Sequence, residues 1–165
     1  MEAAIANATL KALRRILRAT DGGNRKLAAA TGLTPSQLLV LREVEARDEA
    51  TPGSIAQRLQ FSHATITAIA DRLVDLGLIT RTRGERDKRQ ILLNATAEGS
   101  QRLADAPDML QEIFAERFAA LPTWEQAMIL AGTERLAVIL GAGDLDAAPL
   151  LDTGIIDRSG VRDAQ

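Results

Sequence analysis

The stretch Ser54-Ile55-Ala56-Gln57-Arg58-Leu59-Gln60-Phe61-Ser62-His63-Ala64-Thr65-Ile66-Thr67 decides the fold. Thr51-Pro52 just before it is a helix start, a hydroxyl that can cap followed by a proline suited to the first helical position. Ile55, Ala56 and Leu59 then recur at helical spacing and define one inward face. Gln60-Phe61-Ser62 is a short break. A second helix follows, with Ile66, Ile69, Ala70, Leu73 and Leu76 on one face and Gly77 as its stop. Ala56 is small where two helices cross closely, and Ile66 anchors the second helix to the first. Two short helices joined this tightly form a helix-turn-helix, whose second helix is shaped for a major groove.

With Ile66, Ile69 and Leu73 turned inward, Ser62, His63, Ala64, Thr67, Ala68 and Asp71 lie outward or near the helix start, where base edges would be met. Thr65 and Arg72 sit better for phosphate, and Ser54 at the start of the first helix joins the same candidate surface. The bland alternative is a helix hairpin in an ordinary bundle, with these residues a solvated face. It leaves the next segment unexplained.

From Leu78 the apolar period changes from helical to alternating. Leu78, Thr80 and Thr82 point one way and Ile79, Arg81 and Arg83 the other, and Gln90–Asn94 pairs back as a second strand. The loop between them is Gly84–Arg89. Thr80–Gln90 holds five basic residues, Arg81, Arg83, Arg86, Lys88 and Arg89, against Glu85 and Asp87, a local charge of +3. Arginine suits a narrow minor groove, and Asp87, two residues before Arg89, is placed to pin its guanidinium.

Upstream, residues 4–30 read as a helix carrying Leu10, Leu13, Ile16 and Leu17. Asp21-Gly22-Gly23-Asn24 predicts a break or kink in it, since each glycine costs about 1 kcal/mol inside a helix. Gly32 is a C-terminal stop, and Thr34-Pro35-Ser36-Gln37 a capping box opening a helix with Leu38, Leu41 and Val44 inward. Downstream, Thr96 caps one long helix containing Leu103, Met109, Leu110, Ile113 and Phe114, kinked at Pro107. Thr123-Trp124-Glu125-Gln126 is a further capping box for a last helix to about Leu140. That helix is apolar nearly all round, and the neatest cover for it is a second copy of the chain. A Gly-, Asp- and Pro-containing tail with the apolar pairs Leu150-Leu151 and Ile155-Ile156 fills 142–165.

Composition closes off other chemistry. The 165 residues include no Cys, so no disulfide, thiolate nucleophile or cysteine-ligated zinc. The single His63 excludes a multi-histidine metal site, and no cofactor, phosphate loop or nucleophile–base pair is expected, so the chain does not read as an enzyme. Aromatics make up only 2%, which favours packed helices over a β-sandwich. No apolar run approaches the ~18 residues of a membrane span, and Met1-Glu2 opens nothing like a signal peptide, so a soluble, cytoplasmic protein is expected. The net charge of −2 is uneven: the tail from Ala142 to Gln165 carries −3 and the rest +1. Local charge decides whether a surface meets phosphate.

Three segments together carry a family resemblance: Leu33-Thr34-Pro35-Ser36-Gln37, then Ile66-Thr67-Ala68-Ile69-Ala70-Asp71-Arg72-Leu73-Val74-Asp75-Leu76-Gly77-Leu78-Ile79, then Arg86-Asp87-Lys88-Arg89 with Leu93-Asn94-Ala95-Thr96-Ala97-Glu98-Gly99. The run resembles the multiple antibiotic resistance regulator (MarR) family of bacterial transcription factors, and the flanking helices extend the likeness to about residues 5–141. The resemblance implies a mainly α fold with a small β-hairpin, a winged helix-turn-helix at 33–96, dimerisation helices at 1–32 and 97–141, and a tail at 142–165. It implies a triangular homodimer on palindromic double-stranded DNA, with the Ser62 helix in the major groove and Arg89, held by Asp87, in the flanking minor groove. It also implies a repressor released by a small molecule, an aromatic or other carboxylate, for which Arg14, Arg15, Arg18 and Arg42 are candidate partners. Cysteine-based peroxide sensing is excluded, and metal-sensing members need ligands this chain lacks. The competing reading is a winged-helix module that binds protein rather than DNA; it predicts an uncharged wing and an apolar exposed recognition face.

Overall fold

In a computed structural model, residues 2–84 and 87–143 are described. Arg86 and most of the 142–165 tail, with both its apolar pairs, lie outside them. The order is α1 (Glu2–Thr31), α2 (Pro35–Glu45), α3 (Pro52–Leu59), α4 (His63–Asp75), β1 (Ile79–Arg83), β2 (Ile91–Ala95), α5 (Ala97–Ala104), α6 (Leu110–Ala119) and α7 (Thr123–Ile139). The fold is mainly helical with one antiparallel hairpin, a winged helix-turn-helix flanked by helices.

The start signals act as predicted in the middle of the chain. Thr34 Oγ1 accepts from the Gln37 N–H (3.3 Å) while Gln37 Oε1 accepts from the Thr34 N–H (3.1 Å). Thr51 and Ser54 exchange the same reciprocal pair at α3, both at 3.1 Å. Gln60 closes α3 in the left-handed region (φ 57°), and Ser62 caps α4 by accepting from the Thr65 N–H. These caps satisfy amides that each helix start leaves without an internal partner.

Between them these elements close one core. Leu33, Leu38, Val40, Leu41 and Val44 pack against Ile55 and Ala56, against Ile66, Ile69, Ala70 and Leu73, and against Leu78, Ile79 and Leu93. The hairpin pairs Ile79 with Ala95 through Arg83 with Ile91, and Ala50 bridges to Leu93 as a third extended segment. Thr96 then ties the wing to the helices, accepting from the Gly99 N–H (3.0 Å) and donating to the Gly77 carbonyl (2.8 Å). A Cβ on Gly99 would fall 2.2 Å from the Leu78 carbonyl oxygen, so only glycine permits that approach.

Five expectations are corrected. Helix α1 runs unbroken through Gly22 and Gly23. Extending a formed helix by a residue is far easier than nucleating a new one, so two glycines do not break it. The helix begun at Ala97 is not long and kinked: the segment around Pro107 separates α5 from α6, because proline removes a ladder amide and restricts Ala106. Thr123 is the first residue of α7 rather than its cap; Pro122 precedes it, and Gln126 Nε2 instead donates to the Phe118 and Leu121 carbonyls. Leu76 leaves the buried face as the residue closing α4 and is exposed. The second strand is shifted one residue, to Ile91–Ala95.

Candidate nucleic-acid interface

The outward face of α4 is polar and open. Ser62, His63, Ala64, Thr67, Asp71 and Arg72 are exposed and Thr65 and Ala68 half-buried, while Ile66, Ile69, Ala70 and Leu73 face the core. Thr65 is less available than its position suggests, because its hydroxyl lies 2.8 Å from Ser62 Oγ within the cap. The Thr67 hydroxyl donates to the His63 carbonyl (2.9 Å), which leaves its oxygen lone pairs as acceptors. Ser54 is half-buried and spends its hydroxyl on the α3 cap.

His63 is seated rather than free. A Cβ on Gly53 would lie 3.3 Å from His63 Cε1, so the imidazole rests over the first turn of α3. This contact spans the turn between the two helices, and sequence reading missed it. Its only sequence signal is a glycine directly after Pro52.

The wing stands beside α4. In the register Arg81 lies opposite Leu93, whose side chain is buried, so Arg81 shares the sheet face that looks toward the helices. There its guanidinium meets Asp71 at 2.6 Å. Arg83, Lys88 and Arg89 are exposed, and none forms an ion pair among the described residues. Asp87 does not pin the Arg89 guanidinium. Its Oδ1 accepts the Arg89 backbone N–H (2.9 Å), and the Gln90 N–H donates to the Asp87 carbonyl (3.0 Å). A short acidic side chain bonding two residues ahead builds a turn, so Asp87 shapes the loop that carries Arg89.

The proposed effector partners are not gathered into a site. Arg14, Arg15 and Arg18 are exposed on α1, and Arg42 is ion-paired to Glu112 of α6. The two clefts beside α1 lie elsewhere, where Gly23 faces the Pro107–Leu110 segment. The smaller is lined by Asn24, Leu27, Pro35 and Met109; the larger, about 540 Å³, by Ala19, Gly22, Lys26 and Ile113. Among the described residues no group of His, Asp or Glu could hold a metal ion, and no helix is long and apolar enough to cross a membrane.

Comparison with known proteins agrees with this geometry. A model of the MarR family matches residues 31–90. The HTH-type transcriptional repressor MdtR of Bacillus subtilis is 31% identical over 106 residues, 64% of this chain and 68% of its own. Among solved structures, a MepR-like protein complexed with pseudoligands superposes with a TM-score of 0.56 at 26% identity, covering 81% of this chain and 96% of that one. The YusO protein of Bacillus subtilis gives 0.53 at 27% identity, covering 82% and 94%.

Proposed function

The chain belongs to the MarR family, DNA-binding transcription regulators rather than enzymes, and from that premise we propose that it is a repressor which binds a palindromic operator as a homodimer and leaves it when a small molecule binds. The observation that carries the reading is the exposed polar stripe of α4, tied by the Asp71–Arg81 pair to a wing whose Arg83, Lys88 and Arg89 are exposed and unpaired among the described residues. Serine and threonine oxygens and an imidazole are the groups that read base edges, and arginines on a loop are those that enter a minor groove. Ser62, His63, Ala64, Thr67 and Ala68 meet bases in this reading; Thr65, Arg72, Arg83, Lys88 and Arg89 meet backbone or minor groove, with Arg86 on the same loop by sequence, while Ser54 fixes the start of α3 beside them.

Residues 33–96 are then the DNA-binding lobe, and 1–32 with 97–141 the dimerisation helices. Support for the dimer is apolar surface left open on α1, α6 and α7, where Leu10, Ile16, Leu17, Phe114, Trp124 and Met128 are all exposed. A twofold pair of lobes matches a palindrome. For the effector, the clefts at Gly22 and Gly23 suit a mainly apolar molecule, with Lys26 available to a carboxylate. Such a ligand sits between α1 and the start of α6, and α6 connects to the lobe through Arg42 and Glu112.

The test is fluorescence anisotropy of the full chain on a duplex it selects from a random pool, against a shuffled duplex. Arg89→Ala weakens both, by about tenfold for the loss of one cation per lobe; unchanged affinity removes the wing from the interface. Thr67→Ala costs about 1 kcal/mol on the selected site and little on the shuffled one. No binding to any duplex would favour the protein-interaction module instead.

A further inference from the structure

Asp71 is the one acid on the stripe of α4 that faces outward with Thr67 and Ala64, four and seven residues before it. It is not idle, since its Oδ1 lies 2.6 Å from Nη1 of Arg81, and both side chains keep substantial exposure, 55% and 34%. Arg81 is thus the wing cation tied back against α4, while Arg83, Lys88 and Arg89 point free two to eight residues further along the chain.

We propose that Asp71 is a specificity-determining residue that acts by restraint: it holds Arg81 off the phosphate backbone and so lowers affinity for arbitrary DNA more than for the operator. The inference rests on α4 being the groove-facing helix. Non-specific binding is almost wholly cation–phosphate attraction, rising with each cation that reaches a phosphate. Specificity is the ratio of operator to arbitrary binding, so it gains from removing a contact that any sequence can satisfy. Free arginines on the wing supply attraction; the paired one at its base limits it. A carboxylate can also accept from a cytosine amino group in the major groove, and the two roles predict opposite outcomes.

The experiment is a double-mutant cycle in the full chain, Asp71→Asn, Arg81→Gln and both together, read by anisotropy on a shuffled duplex and on a pool-selected duplex across a salt series. Asp71→Asn should bind the shuffled duplex about tenfold tighter, with a salt slope steeper by about two, one phosphate per lobe. The ratio of selected to shuffled affinity should fall. In the Arg81→Gln background the same change should do almost nothing, because the cation it would release is gone. A gain that persists there would reduce Asp71 to general charge and overturn the restraint. So would unchanged binding of the shuffled duplex, and so would a loss confined to the selected site, which is the mark of base reading. If the unmodified chain binds neither duplex, the DNA reading itself falls and this inference with it; if it binds with ordinary salt dependence and only the Asp71 effect is missing, the inference alone falls.

Discussion

The winged lobe and the helical arms hold the same numbers of leucine and of isoleucine, yet they bury them differently. Every apolar turn of α2, α3 and α4 ends against another element of the same chain. Neither α6 nor α7 has a single buried residue, and Trp124 and Met128 stand 64% and 65% exposed. Among the described residues outside the lobe, Leu27 of α1 and Met109 ahead of α6 are buried in the core, and Leu103 and Ala106 pack half-buried against it. A lobe with its own core folds as a unit, whereas helices with open apolar faces leave a surface for a partner. In the function proposed above, the interface for DNA sits on the self-sufficient part, and the spacing of two such interfaces depends on the part that is not.

The sharpest way to break that contrast is to charge the arm. Met128→Glu with Leu130→Glu places two carboxylates on exposed positions of α7 that contact nothing in the chain's own core. The lobe should melt almost unchanged, while sedimentation should show a monomer in place of a dimer. Operator affinity should fall by at least about a hundredfold, because two tethered lobes gain that much over one. A double variant that remains dimeric, or an unmodified chain that sediments as a monomer, would remove these helices from the interface.

The complementary change strikes the lobe. Gly99→Ala forces a methyl into the 2.2 Å gap beside the Leu78 carbonyl, on the junction where Thr96 binds the end of α4 to the wing. Backbone there has to move, at a cost of about 3 kcal/mol. Urea unfolding should report that loss while the assembly state at low denaturant stays dimeric. Full stability in the alanine variant would mean that the wing is not docked as described.

How much of this was legible depends on the range of each interaction. Caps at Thr34 and Thr51 are readable because both partners lie within three residues, and the buried face of α4 because its period is local. The pairing of Asp71 with Arg81 and of Arg42 with Glu112 was not, since each joins elements whose relative placement no short pattern encodes. Asp87 illustrates a nearer miss: its spacing to Arg89 was readable, but backbone and side chain of the same residue competed for it, and the backbone amide won. Pro107 was recognised as a disturbance of the helix, yet whether it bends or separates two helices depends on packing beyond its own neighbours.

The glycine pair in α1 gives the mildest and most discriminating change. Composition argued for a break at 21–24, and the helix is continuous; both statements rest on the same two residues. If the helix persists in solution, Gly22→Ala should raise stability by about 0.5–1 kcal/mol, because alanine lowers the entropy of the unfolded chain and favours the helical state. Nothing stands within 4 Å of a Cβ at that position, so no clash offsets the gain. The same methyl also projects from a residue lining the larger cleft, the one proposed to receive the effector. A higher melting temperature with weaker release of DNA by a carboxylate effector would mean that the glycine is kept for the space it leaves. A higher melting temperature with release unchanged would leave the cleft without a role at Gly22. A lower one would mean that α1 bends there after all, and that the arms are less regular than the lobe in shape as well as in burial.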